Sequence, residues 1–332
     1  MLESPTDVGL ESDMRLYVGV TDYDWFAHLS AFPALDEVNF WSPGGARFRA
    51  LQPNELFLFK LKAQHDHMIV GGGLFAHDTS LPLSLAWDAF GQKNGAASLS
   101  EMSARIRRYQ SPEARSQRDP VIGCRLVQQP FFFPREAWFR VPASFLPNTV
   151  SGKSYSTEEG DGAWLFKAVE QRLPWNAIGP WELPQDQEGF QDSGRRGAAQ
   201  IVMPRLGQGS FRVAVMDGFG RRCSITGERT LPILDAAHIK PWAAGGENRA
   251  GNGLLLRTDI HRLFDLGYVT LSHDHVFEVN PRLREDYENG RDYYLLHGRR
   301  LREPADPSFL PSGEALTWHH EHRWSRPGTV DA

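Results

Sequence analysis

At 332 residues, with 41% hydrophobic and 23% charged positions, the chain is long enough for two ordinary domains and too apolar for global disorder. No apolar stretch approaches the ~20 residues of a membrane-spanning helix. Two cysteines, Cys124 and Cys223, exclude both a disulfide scaffold and a four-cysteine zinc site. The net charge of −5 is unevenly spread: residues 1–14, 155–163 and 173–194 hold eleven negative charges, which leaves the remainder at +6. A polyanionic partner is therefore compatible with an acidic chain.

The N-terminus places four acids (Glu3, Asp7, Glu11, Asp13) before Arg15, the wrong pattern for a secretory or mitochondrial leader. With so few cysteines, this points to the cytoplasm. Strand-like runs follow at Arg15–Thr21, Glu55–Lys62, Met68–Val70, Val121–Val127 and Trp138–Val141, with a helical stretch at Leu99–Tyr109. Gly71-Gly72-Gly73 lacks the spacing of a dinucleotide fingerprint and predicts a tight turn or a close backbone approach. Many short strands with one or two helices suggest a small curved sheet or a partly open barrel.

From Leu146 to Gly162 the chain becomes polar and reads as an exit from the first domain. Trp164–Leu173 looks helical, and Pro174–Gly194 reads as a second linker, with three prolines and four acids. A compact unit begins near Arg195. Its first stretch, Arg195–Thr230, holds seven arginines against Asp217 and Glu228, a balance suited to phosphate contacts.

The chemistry lies in Cys223–Leu271. His238 ends an apolar run, Leu231–Ile239, and a Gly-, Ala- and Asn-containing loop follows. Asn252 sits at the start of a predicted helix, Gly253–Phe264, which carries His261, and Tyr268–Leu271 resembles a returning strand. Phosphodiester hydrolysis at neutral pH needs a base to activate water, a cation against phosphate charge, and a group that fixes the base. His238 suits the base, His261 a metal ligand, and Asn252 either orients the base or shapes the loop around it. On the predicted helix, Arg257 and Asp265 share the face of His261, whereas Asp259 lies near the opposite face.

The blocks Ala236–Trp242 (AAHIKPW), Gly246–Arg249 (GENR), Asn252–Arg257 (NGLLLR) and Asp259–Gly267 (DIHRLFDLG) resemble the HNH endonuclease family. That resemblance implies a two-stranded ribbon plus helix around one divalent metal, Mg2+ or Mn2+. Two departures matter. Many such nucleases place a His or Asp ligand directly before the base, where this chain has Ala237, and Asp235 is on the same side of a straight strand as the candidate replacement. Some members brace the core with two cysteine pairs on zinc. Only Cys223 remains here, so no structural zinc is expected.

The first half, in Tyr17–Phe26, Asn39–Gly45, Phe48–Leu61 and Leu85–Gly91, is similar to the PUA-like superfamily. Its EVE, YTH and SRA members hold one modified base in an aromatic-lined pocket. An extruded base needs stacking and edge hydrogen bonds. Trp41, Trp87 and Phe40, with Asn39 and Asp22, are the candidate pocket. Arg105 and Arg108, with Arg221, Arg222 and Arg257 further on, are the candidate phosphate contacts.

The implied architecture is α+β. A PUA-like, partly open β-barrel reader spans 14–147, a linker with a short helix spans 148–194, and a ββα-metal nuclease spans 195–322. Fusions of this kind are modification-dependent, type IV-like restriction endonucleases acting on double-stranded DNA, with a homodimer as one way to cut both strands. Two alternatives stay open: an HNH nuclease reading unmodified sequence or DNA shape, and a DNA-binding protein that does not cleave.

Overall fold

The computed structural model describes residues 14–173 and 207–328, which form two compact units. Arg195, Arg196 and Arg205 of the basic stretch, and the Pro174–Gly194 linker, lie outside the described residues. Among the described residues no helix is long and apolar enough to cross a membrane.

The first unit is built on one sheet. Its elements are β1 (Arg15–Thr21), α1 (Tyr23–Ser30), β2 (Glu37–Ser42), β3 (Leu56–Leu61), β4 (Met68–Pro82), α2 (Leu83–Phe90), α3 (Leu99–Arg107), α4 (Pro112–Arg115), β5 (Val121–Phe132), β6 (Phe139–Arg140), β7 (Gly152–Ser156) and α5 (Gly160–Glu170). The strand order is β2-β5-β4-β3-β1-β7, with β6 on β4. Strands β1 and β3 run parallel and the other pairs antiparallel. The end strands β2 and β7 do not pair with each other among the described residues, so the sheet is open.

Strands β1 and β3 are apolar at nearly every position because both faces of the sheet are covered. Side chains alternate faces along a strand. Tyr17, Phe57, Phe59 and Leu61 enter one buried cluster with Trp25, Phe40 and Phe75. Leu16, Val18, Leu56 and Leu58 enter another with Phe133, Phe139, Leu165 and Val169. The first cluster is an aromatic array: Trp25 meets Phe40 and Phe59 edge-on, and Phe40 stacks over Phe59.

This packing decides one expectation and corrects two others. Of the two readings of the glycine triplet, the close backbone approach is the one realised. The triplet lies inside the long strand β4, and a Cβ on Gly71 would stand 2.2 Å from the Phe131 carbonyl oxygen. Residues 152–170, read as exit and linker, belong to the first unit. Polar Gly152–Ser156 pairs antiparallel with β1 as an edge strand, and α5 buries Leu165, Ala168 and Val169 on the second cluster. An edge strand needs backbone partners rather than apolar side chains, so its composition hid it. Phe40 and Asn39 are core residues, not pocket walls. Phe40 is 4% exposed, and Asn39 Nδ2 donates to Asn94 Oδ1 at 2.8 Å inside the unit.

Trp41 is half-buried against the same aromatic cluster, and its indole N–H donates to the Asn94 carbonyl at 3.0 Å. Trp41→Ala is therefore expected to cost ~2–4 kcal/mol of folding stability through a cavity and a lost hydrogen bond. It should leave any discrimination between DNA substrates unchanged. A melting curve paired with DNA-binding isotherms checks both halves.

The second unit contains α6 (Gln208–Gly218), β8 (Leu234–His238), β9 (Gly253–Arg257), α7 (Thr258–Asp265), β10 (Val269–Leu271), β11 (Phe277–Val279), α8 (Arg282–Tyr287), α9 (Arg291–Tyr294) and α10 (Gly313–His319). A π-helical turn, His320–Trp324, continues α10. Strands β8 and β9 form an antiparallel ribbon, and β10 pairs with β11. Both α6 and α7 pack on the ribbon.

The predicted helix Gly253–Phe264 is thus two elements. Residues 253–257 are extended, and the helix begins at Thr258. Leu254, Leu255 and Leu256 are all buried. A short unbroken apolar run carries no period to separate strand from helix. Asn252 consequently precedes a strand, and Arg257 leaves the helical face assigned to it.

His319 closes this unit from the C-terminal side. Its ring, 1% exposed, stacks on Phe264 at 3.8 Å between centroids. Nε2 donates to the Phe264 carbonyl at 2.9 Å, and Nδ1 accepts from the Thr270 hydroxyl at 2.9 Å. Burial holds its pKa down at about 3, from 6.5. The unfolded chain binds this proton near pH 6.5 and the fold does not, so stability falls as pH drops from about 6.5 towards 3. The limiting slope is ~1.4 kcal/mol per pH unit. His319→Gln is expected to flatten that slope in denaturant titrations run across this range.

Candidate active site in the second unit

The ribbon and α7 bring the sequence-predicted residues to one place. Asp235 and His238 lie on β8, His261 and Asp265 one turn apart on α7. His261 Nδ1 stands 3.3 Å from Asp235 Oδ2, and its Nε2 stands 3.5 Å from Asp265 Oδ2. The imidazole is therefore flanked by two carboxylates. Burial raises the pKa of Asp265, against the lowering influence of His261 and of Arg323, Arg262 and His238.

His238 is fixed from two sides. Its ring stacks on Phe211 of α6, with centroids 4.0 Å apart and planes 12° from parallel. Its Nε2 is 2.7 Å from Asn248 Oδ1. A carboxamide oxygen only accepts, so Nε2 carries the proton and Nδ1 keeps its lone pair. Burial lowers the His238 pKa, the Asn248 bond opposes this, nearby His261 lowers it further, and Asp265 raises it. The net direction favours the neutral ring, the form able to accept a proton.

Asn248 was not among the sequence-predicted residues. Its signal was its place in the GENR block, a polar residue in the 239–252 loop joining the two ribbon strands. Asn252, which the sequence suggests either orients the base or shapes the loop, bonds to the loop backbone. Asn252 is 2% exposed, and its amide is committed to the loop backbone. Oδ1 accepts from Lys240 N at 2.8 Å, and Nδ2 donates to the carbonyls of Lys240 and Glu247, each at 2.9 Å. It holds closed the loop that carries Asn248. Gly246 belongs to the same staple, since a Cβ there would stand 1.9 Å from the Lys240 carbonyl oxygen.

The glycine that opens β9 has a packing reason too. A Cβ on Gly253 would stand 2.4 Å from Val215 and 2.9 Å from Phe211, so the ribbon presses directly on α6. The helix that supplies the Phe211 ring is thereby seated under His238.

The arginines divide into engaged and open. Arg257 makes a two-pronged pair with Asp259, at 2.7 and 2.6 Å, and the Tyr293 hydroxyl donates to the same carboxylate. Arg221 pairs with Asp217 at 3.1 Å, and Arg105 pairs with Glu101 while also donating to the Gly95 carbonyl. Arg222 is half-buried and Arg108 exposed. Cys223 is buried, and its sulfur accepts from the Thr226 amide within a turn closed by the Cys223 N–H to Glu228 carbonyl bond.

The family model described as HNH endonuclease matches residues 223–272, the stretch that holds the ribbon, loop and α7. The second unit carries an HNH endonuclease domain. No curated protein matches the chain. Among solved structures, a chain described as modification-dependent TagI restriction endonuclease is 20% identical, with a TM-score of 0.25. That match covers 34% of this chain and 37% of the other, so this chain accounts for about a third of that protein's length.

Within the HNH domain, the oxygen and imidazole donors of Asp235, His261 and Asp265 are the types that bind Mg2+ or Mn2+. As they stand, no three His, Cys, Asp or Glu side chains among the described residues form a ready-made cage. Asp235 and Asp265 address opposite ring nitrogens of His261 instead. In chemistry the donor set fits a divalent ion, held by His261 with one or both carboxylates.

Of the candidate pocket residues in the first unit, Asp22 lines a cleft with Tyr23, Lys62, His65, Arg108 and Tyr109. Trp87 is half-buried on α2.

Proposed function

We propose that the protein is a metal-dependent DNA endonuclease whose HNH domain hydrolyses phosphodiesters and whose first unit restricts it to modified double-stranded DNA. The observation that carries the nuclease part is the setting of His238. Its ring is stacked on Phe211 and hydrogen-bonded through Nε2 to Asn248, and burial lowers its pKa from the usual histidine value.

His238 Nδ1 takes a proton from the attacking water, the hydroxide so formed bonds to phosphorus, and the opposite P–O bond breaks, its electron pair leaving with the sugar oxygen, which takes a proton from solvent. Asn248 holds the ring in the tautomer that leaves Nδ1 free. Phe211 keeps the ring plane fixed, so the lone pair is already aimed when water arrives. Asn252 acts at one remove, by keeping the 240–247 loop closed. His261, with Asp235 and Asp265, would hold the divalent ion. When bound, that ion supplies positive charge against the phosphate and the leaving oxygen. Arg222 lies in the basic stretch before the domain and contributes to attraction of the DNA backbone.

Restriction to modified DNA is supported by the presence, in the same chain as the HNH domain, of a separate compact α+β unit whose sequence resembles readers of modified bases. The test is cleavage of matched plasmids that are unmodified, methylated, hydroxymethylated, glucosylated or phosphorothioated, with Mg2+ or Mn2+. Cutting confined to one or more modified plasmids is expected. Equal cutting of all five would leave the nuclease and remove the modification dependence.

A further inference from the structure

The first unit has an open cleft of about 340 Å³ where the start of α1, the turn after β3 and the end of α3 meet. Its walls combine ring surfaces with cations. Tyr23 and His65 stack on one another, with centroids 4.6 Å apart and planes 18° from parallel. Tyr109 is 50% exposed, and Lys62 Nζ lies 4.3 Å from the centre of its ring and 2.6 Å from its hydroxyl. Arg108 lines the same cleft. Asp22 spends Oδ1 on the Trp25 amide that it caps, which leaves its other oxygen as an acceptor at the cleft wall.

Two exposed tyrosine rings, Tyr23 and Tyr109, thus flank one concavity with Lys62 and Arg108 at its walls. Flat apolar faces recognise a base, and Lys and Arg recognise a phosphate. The volume is at the small end of ligand sites, ~300–1,000 Å³, fitting one nucleotide better than two.

We propose that this cleft takes a single unpaired nucleotide of the DNA, its base against the Tyr23 or Tyr109 ring and its phosphate on Lys62 and Arg108. This rests on the reading of the first unit as a DNA reader, and it moves the reading site away from Trp41 and Phe40. A duplex-embedded base is inaccessible to such walls, so the nucleotide must leave the stack first.

The test is binding by the full chain, in EDTA and at one fixed salt, to a fluorescein-labelled duplex with a single bulged nucleotide and to its fully paired counterpart. Wild type is expected to prefer the bulged duplex by about tenfold or more, the scale of one base–aromatic stack. Tyr23→Ala combined with Tyr109→Ala should abolish the preference, and Tyr109→Phe should keep it. Arg108→Ala should weaken both duplexes and reduce the salt dependence of binding by about one charge. Wild type without a preference, or the double alanine variant retaining it at an unchanged melting temperature, would overturn the assignment. Because EDTA removes catalysis from the assay, a bulge preference in a protein that never cuts DNA would refute the nuclease reading and leave the cleft standing.

Discussion

Replacing His238 by alanine is expected to slow DNA cleavage by ~10²–10⁴-fold, the usual cost of a lost general base. Affinity for DNA should stay within about twofold, since phosphate contacts to Lys and Arg dominate it. The fold should tolerate the change in part: the ring is half-buried on Phe211, so a modest loss of stability accompanies the loss of rate. The informative quantity is the single-turnover rate on DNA already bound, measured beside a binding isotherm. Asn248→Ala should follow in the same direction with a smaller effect, because the ring then loses its tautomer lock but keeps its nitrogen.

Asn252→Ala is expected to act through stability first. The variant strands the Lys240 N–H and two carbonyls at a site that is 2% exposed. Three lost hydrogen bonds with desolvated partners cost ~2–4 kcal/mol together. The loosened loop also carries Asn248, and a misplacement of about 1 Å at a reacting group costs ~10²-fold in rate. Denaturant melts and cleavage rates on the same preparation separate the roles. A variant as stable as wild type but catalytically dead would place Asn252 at the phosphate instead of in the loop.

How much of this was legible in the sequence depended on whether a residue's partners were near in the chain. Strand β1 is legible at its observed limits, because the apolar run Leu16–Val20 is flanked by Arg15 and by Thr21 before Asp22. His238 and His261 were legible because spacing within the HNH blocks fixes the elements that bear them. The Leu254–Leu256 run was not, since a ribbon strand covered on both faces by α6 and α7 shows no alternation. Its misreading as helix displaced Arg257, which caps α7 and pairs with Asp259.

The aromatic NFW motif misled for a related reason. Aromatics beside a turn suit either a pocket or a core, and only the second layer decides. Here α1 delivers Trp25 onto Phe40, which no local pattern announces. Asn248 is marked in the sequence only by its place in the GENR block, and the Tyr23–Tyr109 cleft is invisible there for want of long-range information. The cleft joins residues 22–24, 62–65 and 105–109, three stretches that meet only in the fold.

The most direct measurement is incubation of the full chain with modified plasmid DNA in Mn2+ or Mg2+, with and without EDTA, read as conversion of supercoiled plasmid to nicked and linear forms. The account predicts cutting with metal and none with EDTA. Intact plasmid under every combination of metal and modification, or cutting undiminished by EDTA, would contradict it.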